Sequence, residues 1–248
     1  MDKNKGDSMI NKTIHYCWFG GKEIPAKDRK CIESWKKYCP DYEIIEWNEK
    51  NYDITQNAYM KAAYDEKKWG FVPDFARFDI IYNHGGFYLD TDVELVKSLD
   101  ELCDNKAYLG FESKVWINGG VGFGAEKGHN IIKELRDMYK SLSYYNQDGT
   151  LNLTPSPYYI TEHLVSKGLK RNNKMQMIET LKVYPTEYFA AKDYDTGKIK
   201  ITKNTISIHQ YNASWQSPKK KVMLKVKRVI GAKNFEALVK MKKSLIKK

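Results

Sequence analysis

The feature that most constrains this chain is residues 71–102, FVPDFARFDIIYNHGGFYLDTDVELVKSLDEL, where an apolar run stops on two carboxylates. Gly85 and Gly86 make a turn, Phe87, Tyr88 and Leu89 read as a short buried strand, and Asp90-Thr91-Asp92 follows at once. At a strand end the chain leaves the pleat, so two carboxylates two residues apart can turn toward one cation. Mg2+ or Mn2+ suits such a place: it takes one or two protein carboxylates and completes its shell with water and substrate phosphates. The pattern therefore points to a nucleotide diphosphate. Any surface turn can hold Asp-x-Asp, so the context upstream matters. In residues 72–83 the apolar Phe75, Phe78, Ile81 and Tyr82 recur with helical period, which puts Asp74 and Arg77 on one helix face.

Taken in order, residues 13–19 alternate, are rich in aromatics and end at Gly20-Gly21, the pattern of a first buried strand. Strand ends followed by glycine are where α/β proteins place nucleotides. Pro25 suits a helix start, with a stripe of Ile32, Trp35 and Tyr38-Cys39 closed by Pro40, and residues 42–47 form a second strand. Strand, helix, strand predicts a right-handed βα unit and a doubly wound or Rossmann-like sheet. No Gly-x-Gly-x-x-Gly follows the first strand, which disfavours a dinucleotide fold of the dehydrogenase type.

Further on, residues 58–67 predict a helix and residues 93–96 and 107–111 short strands. Residues 115–125 carry Gly119, Gly120, Gly122 and Gly124, spaced either to let backbone approach a ligand or simply to soften a hairpin. Residues 129–142 predict a helix, residues 149–158 a loop suited to an acceptor-side lid, and Tyr159 to Leu164 a helix ending at Gly168. Residues 177–184 and 205–209 predict strands, with His209 at a strand end six residues before Trp215. His163, on an apolar stripe, reads as a core histidine and stays outside the site.

A chain of 248 residues with 42% hydrophobic and 13% aromatic residues can bury one sizeable core. Its formal charge of +11 would by itself suggest nucleic acid, but residues 217–248 hold twelve Lys or Arg against one Glu, leaving 30 basic against 30 acidic residues before them. The basicity belongs to a tail, and no nucleic-acid partner is expected. Two apolar stripes there, Val222, Val226, Val229, Ile230 and then Phe235, Leu238, Val239, predict amphipathic helices that either pack on the domain or lie on anionic membrane. Cys17, Cys31, Cys39 and Cys103 show no metal spacing and read as reduced, buried thiols. With no spanning segment and no signal peptide, the expected location is the cytoplasm, with peripheral contact at the inner face of the membrane.

The run Asp74-x-x-Arg77, then Gly85-Gly86-x-Tyr88-Leu89-Asp90-Thr91-Asp92, resembles the sugar-nucleotide-binding region of glycosyltransferase family 32, the capsular-polysaccharide and mannosyl transferases. More distantly it resembles the large glucosylating bacterial toxins. The similarity extends from Ile14-His15-Tyr16-Cys17-Trp18-Phe19-Gly20-Gly21 to His209-Gln210-Tyr211-Asn212-Ala213-Ser214-Trp215. It implies an α/β, GT-A-like (Rossmann-like) single catalytic domain over residues 10–216, after a disordered start at 1–9 and before a basic helical tail at 217–248.

The resemblance further implies a retaining hexosyltransferase that uses Mn2+ (or Mg2+) and a nucleotide sugar, most readily a UDP-sugar. The acceptor would be a glycan or a lipid-linked saccharide in capsular or surface polysaccharide synthesis. Asp92 is then a direct metal ligand. Asp90 holds the metal through water or holds the ribose, and His209 is the third ligand. Asp74 and Arg77 orient sugar hydroxyls and phosphate, Trp18 stacks on the base, Asn118 lies beside the donor sugar, and Trp215 closes over the diphosphate. Two other readings stay open at this point: a metal-dependent nucleotidyl or phosphoryl transferase, and a non-catalytic glycan- or membrane-binding protein.

Overall fold

The computed structural model describes residues 10–212 and, in the tail, Val222, Met223, Val226, Lys227, Arg228, Gly231 and Phe235. The disordered start expected at 1–9, most of the helical tail and Trp215 lie outside the described residues.

Strand β1 (Thr13–Cys17) is buried from its second residue onward and has a parallel neighbour on each side. On one side lies β2 (Glu43–Trp47), reached through α1 (Ala26–Tyr38), which is the predicted βα unit. On the other lies β3 (Gly86–Tyr88), with Ile14 opposite Phe87, reached through α2 (Ala58–Asp65) and α3 (Pro73–His84). The chain then runs through β4 (Val93–Leu95), β5 (Ala107–Phe111), β6 (Ile117–Asn118), β7 (Phe123–Ala125), α4 (Asn130–Asp137) and α5 (Ser156–Ser166). It ends with β8 (Gln176–Ile178), β9 (Leu181–Tyr184), α6 (Thr186–Phe189) and β10 (Ser207–His209).

The main sheet has the order β2-β1-β3-β7-β5-β9-β8, with β6 on β5, while β4 and β10 form a separate antiparallel pair. The α/β class is as expected, and the sheet is mixed. β7 runs antiparallel to both β3 and β5, and β5 runs parallel to β9. Successive side chains of a strand face opposite sides of a sheet, and the core divides accordingly. Tyr88, Leu109 and Phe111 join Phe75, Phe78 and Ile81 of α3 on one side. Phe87, Leu89 and Tyr108 join Ile32 and Trp35 of α1 on the other.

Contacts from both sides of the sheet hold the strand end that bears Asp90 and Asp92. At the turn from α3 into β3, Gly86 has φ 93°, and a Cβ there would come within 2.6 Å of the Thr13 carbonyl, so only glycine lets β3 lie this close to β1. Beside it, His15 Nε2 lies 3.1 Å from the Gly85 carbonyl while Trp47 Nε1 donates to His15 Nδ1 at 3.1 Å. The imidazole is thus neutral, donating from Nε2 and accepting at Nδ1. From the other core, fully buried Trp35 donates its indole N–H to the Val93 carbonyl at 2.7 Å, and Leu95 N donates to Ser34 Oγ at 2.8 Å.

Some expectations need correction. Residues 177–184 are a hairpin rather than one strand, because Glu179 takes φ 52° and turns the chain between β8 and β9. Residues 129–142 are helical only to Asp137 and then tighten into a 3-10 turn, Met138–Lys140. All four cysteines are buried. Among the described residues no helix is long and apolar enough to cross a membrane.

Burial, with a smaller push from His84, holds the His15 pKa down at about 4 against an ordinary 6.5, the Gly85 carbonyl opposing. The unfolded chain therefore takes up a proton near pH 6.5 that the folded chain refuses until about 4. Stability is full above this window and lost as pH falls through it, by about 3 kcal/mol. His15→Gln should shrink the drop in urea midpoint between about pH 7 and about pH 4.5. An equal drop in the variant would assign the effect to other groups.

Candidate active site

The ends of β1 and β3, the start of α3 and the exit of β10 open onto one cleft of about 680 Å3. All the site residues expected from sequence that fall among the described residues line it: Trp18, Asp74, Arg77, Asp90, Asp92, Asn118 and His209. Trp18 follows β1 directly. Its backbone N–H donates to the Trp47 carbonyl at 2.9 Å and its indole N–H to the Lys22 carbonyl, leaving a half-buried ring fixed in the wall.

Arg77 is buried on α3, with Nη2 3.2 Å from Asp74 Oδ1 and 3.5 Å from Asp90 Oδ1. Its Nε donates to the Pro73 carbonyl at 3.2 Å and its guanidinium lies 5.3 Å from the centre of the Tyr88 ring. A buried charge survives only when paired and hydrogen-bonded, and Arg77 meets that condition by drawing two carboxylates to itself. Burial pushes the Asp74 pKa up to about 7 against the pull of Arg77. Burial likewise raises that of Asp90, Arg77 opposing and the charge of Asp92 adding to the rise.

Asp92 is gripped by the segment that leaves β10. Antiparallel pairing sets His209 opposite Val93. Gln210 N then donates to the Asp92 carbonyl at 2.8 Å, Asn212 N to Asp92 Oδ2 at 2.8 Å, and His209 Nε2 lies 3.1 Å from Asp92 Oδ1. On its other side His209 Nδ1 is 3.7 Å from Glu112 Oε1, and the ring packs on Tyr211 with centroids 4.2 Å apart. Burial works against a charged imidazole, but Asp92 and then Glu112 outweigh it and raise the His209 pKa to about 9. The partner shift agrees in sign: burial alone would raise Asp92, yet His209 and the Asn212 amide bring it below the ordinary carboxylate range.

One ligand atom from each of Asp90, Asp92 and His209 lies within 4.8 Å of the others. Two carboxylates and one imidazole suit Mn2+, which accepts nitrogen; Mg2+ prefers an all-oxygen shell. The buried negative charge that keeps Asp90 raised is what a cation would neutralise, so these residues fit a divalent ion.

Residues 115–125 behave differently from a ligand-facing glycine loop. A Cβ on Gly120 would collide with the Asp90 carboxylate, one on Gly119 would sit 3.3 Å from Arg77 Cδ, and one on Gly122 2.8 Å from Leu89 Cδ2. The glycines let this hairpin close over the protein's own site residues. Asn118 is committed to that same structure, accepting from Gly120 N at 2.7 Å and donating from Nδ2 to Glu112 Oε1 at 2.9 Å.

Glu112, Tyr194, Tyr211 and Trp69 line the cleft and were not singled out from sequence. Glu112 directly follows β5, so the strand-end argument used for Asp90 could have found it. Tyr211 has φ 53°, a backbone position that sequence does not reveal. His163 lies outside the cleft as expected, but it is half-buried and 2.9 Å from Glu134 Oε2 rather than a core histidine. The loop expected at 149–158 ends at Pro155, where α5 begins, and Pro155 with Ser156 and Pro157 of that helix reaches the cleft wall.

Residues 25–109 match the family described as "Glycosyltransferase sugar-binding region containing DXD motif". The chain is 31% identical over 136 residues to inositol phosphoceramide mannosyltransferase 3 of Schizosaccharomyces pombe, covering 52% of this chain and 36% of that protein. It thus spans only about a third of that relative's length. It is 25% identical over 203 residues to uncharacterized glycosyltransferase L373 of Acanthamoeba polyphaga mimivirus, covering 75% of this chain and 77% of that one. Among solved structures it is similar to PaToxG glycosyltransferase, with TM-score 0.49 and 20% identity over 64% of this chain and 70% of that one. The matched residues 25–109 are similar to the sugar-binding region of DXD glycosyltransferases, and their Asp90-Thr91-Asp92 lines the cleft.

Proposed function

We propose that this chain is a metal-dependent hexosyltransferase that moves a sugar from a nucleotide sugar, by preference a UDP-sugar, to a hydroxyl of a capsular or surface glycan. The observation that carries this reading is the meeting of Asp90, Asp92 and His209 beside Arg77 and below Trp18 in one cleft. The catalytic domain is residues 10–216, in the cytoplasm. The name of the similar Schizosaccharomyces pombe protein favours an acceptor hydroxyl carried on a lipid.

In this reading Asp90, Asp92 and His209 hold the cation. When bound, the ion supplies a Lewis acid for the negative charge that gathers on the departing diphosphate. Trp18 stacks on the base, which fixes the donor lengthwise. Asp74 accepts hydrogen bonds from sugar hydroxyls, and the Arg77 guanidinium faces the phosphate side. Asn118, which accepts from Gly120 N, holds Glu112 in place. As the bond from the anomeric carbon to the diphosphate oxygen breaks, the acceptor oxygen bonds to that carbon from the same face and its proton passes to the leaving phosphate, so configuration is retained.

Residues 217–248 are proposed as a basic anchor on anionic membrane. In support, Val222, Met223 and Val226 are exposed, while Lys227 pairs with Asp195 and Arg228 donates to the Tyr194 carbonyl at the rim of the cleft.

A screen of UDP- and GDP-sugars should find Mn2+-dependent hydrolysis of one donor in the absence of acceptor. Asp92→Asn should lower that turnover by about two or more orders of magnitude in a variant that still folds, with a lower melting temperature because buried His209 loses its ionised partner. Near wild-type turnover in a folded variant would remove the metal assignment. Trp18→Ala should raise the donor KM about ten- to a hundredfold, as loss of base–aromatic stacking predicts. If KM is unchanged, the ring is wall rather than base platform. Full-length protein should sediment with phosphatidylserine vesicles at low salt, with roughly 1 kcal/mol from each engaged basic residue. Replacing Lys219, Lys220 and Lys221 together by Glu should weaken this, and sedimentation indifferent to both salt and charge reversal would return the tail to packing on the domain.

A further inference from the structure

Beyond the cleft, the hairpin joining β5 and β6 carries an aromatic feature that the donor chemistry leaves unused. Glu112 N donates to the Trp116 carbonyl at 2.9 Å and closes the hairpin. Ile117 is fully buried, and its N–H donates to Thr161 Oγ1 on α5 at 2.9 Å. Trp116 and Asn118, on either side of it, therefore point the opposite way, toward the cleft side. The half-buried Trp116 ring lies 6.0 Å from the ring of Tyr158, at 48° to it. Arg171 covers the indole at 4.9 Å and is itself paired with Glu162. Tyr158 is 44% exposed, and neither ring belongs to either core cluster.

The pair is continuous with the active site, because Asn118, two residues from Trp116, and Pro157, next to Tyr158, both line the cleft. Two rings held outside the core, bordered by a guanidinium and a carboxylate, match a pyranose in chemistry. The C–H face of the sugar covers the exposed Tyr158 ring beside Trp116, and its hydroxyls reach the Arg171 guanidinium lying over the indole and the paired Glu162.

We propose that Trp116 and Tyr158 form a stacking subsite for a pyranose ring of the acceptor saccharide, with Arg171 and Glu162 hydrogen-bonding its hydroxyls. This rests on the transferase reading and adds to it where the acceptor chain leaves the cleft. The test is saturation-transfer NMR on the full-length protein with maltose, cellobiose and lactose as probes. At least one should receive saturation on its ring C–H protons. Tyr158→Ala and Trp116→Ala should weaken that binding about tenfold, while Tyr158→Phe, which keeps the ring, should bind as the wild type does. Tyr158 is exposed enough for its alanine variant to fold, which a thermal melt verifies. Unchanged binding in folded Tyr158→Ala, or no saturation of any probe by the wild type, overturns the subsite. Donor hydrolysis by the same wild-type sample reports separately on the transferase reading.

Discussion

The contact between Asp92 and the segment leaving β10 is the interaction on which the whole site depends. It joins positions 117 residues apart in the chain, so its loop-closure entropy has to be offset elsewhere. The offset is apolar. Val93 and Leu95 on one strand and Ile206 and Ile208 beside the other are at most 4% exposed, and each such side chain contributes about 1.5–3 kcal/mol. Trp35, reaching from α1 to the Val93 carbonyl, fixes the same strand from beneath. Three hydrogen bonds to Asp92 then cost little extra ordering, because the backbone that makes them is already in place.

Arg77 plays the complementary part on the other side of the motif. Its guanidinium is the positive charge that allows Asp74 and Asp90 to be buried together, and the Tyr88 ring beneath it excludes water. A guanidinium placed this way balances only part of the negative charge, since Asp92 and Glu112 add to it from the other wall. His209 answers those two, standing between Asp92 and Glu112. The cleft is therefore an alternation of acids and cations set by the fold, and a divalent ion held by Asp90, Asp92 and His209 would take the place of the His209 proton.

The glycine-rich hairpin shows how close packing serves the same end. Its glycines stand where Asp90, Arg77, Leu89 and Tyr108 press against backbone, so the loop acts as a mould for the site's own side chains. Asn118 is held by Gly120 and holds Glu112 in turn, which carries order from the cleft floor to the β5–β6 hairpin and the aromatic pair on its rim.

The sequence by itself determined what depends on near neighbours. The β1-α1-β2 unit, the shared face of Asp74 and Arg77 on α3, and the strand end at Asp90-Thr91-Asp92 follow from periodicity and local chemistry over a few residues. Trp18 at the end of β1 was legible for the same reason, as was the strand end bearing His209. What only the tertiary structure decided is which distant groups meet. It set β7 between β3 and β5, gave Asp92 the backbone of residues 210–212, placed Glu112 beside His209, and turned four glycines toward protein rather than ligand. Local pattern determines the form of each element. Pairing across a hundred residues is chosen by the global burial of apolar surface, to which every element contributes and which no single stretch encodes.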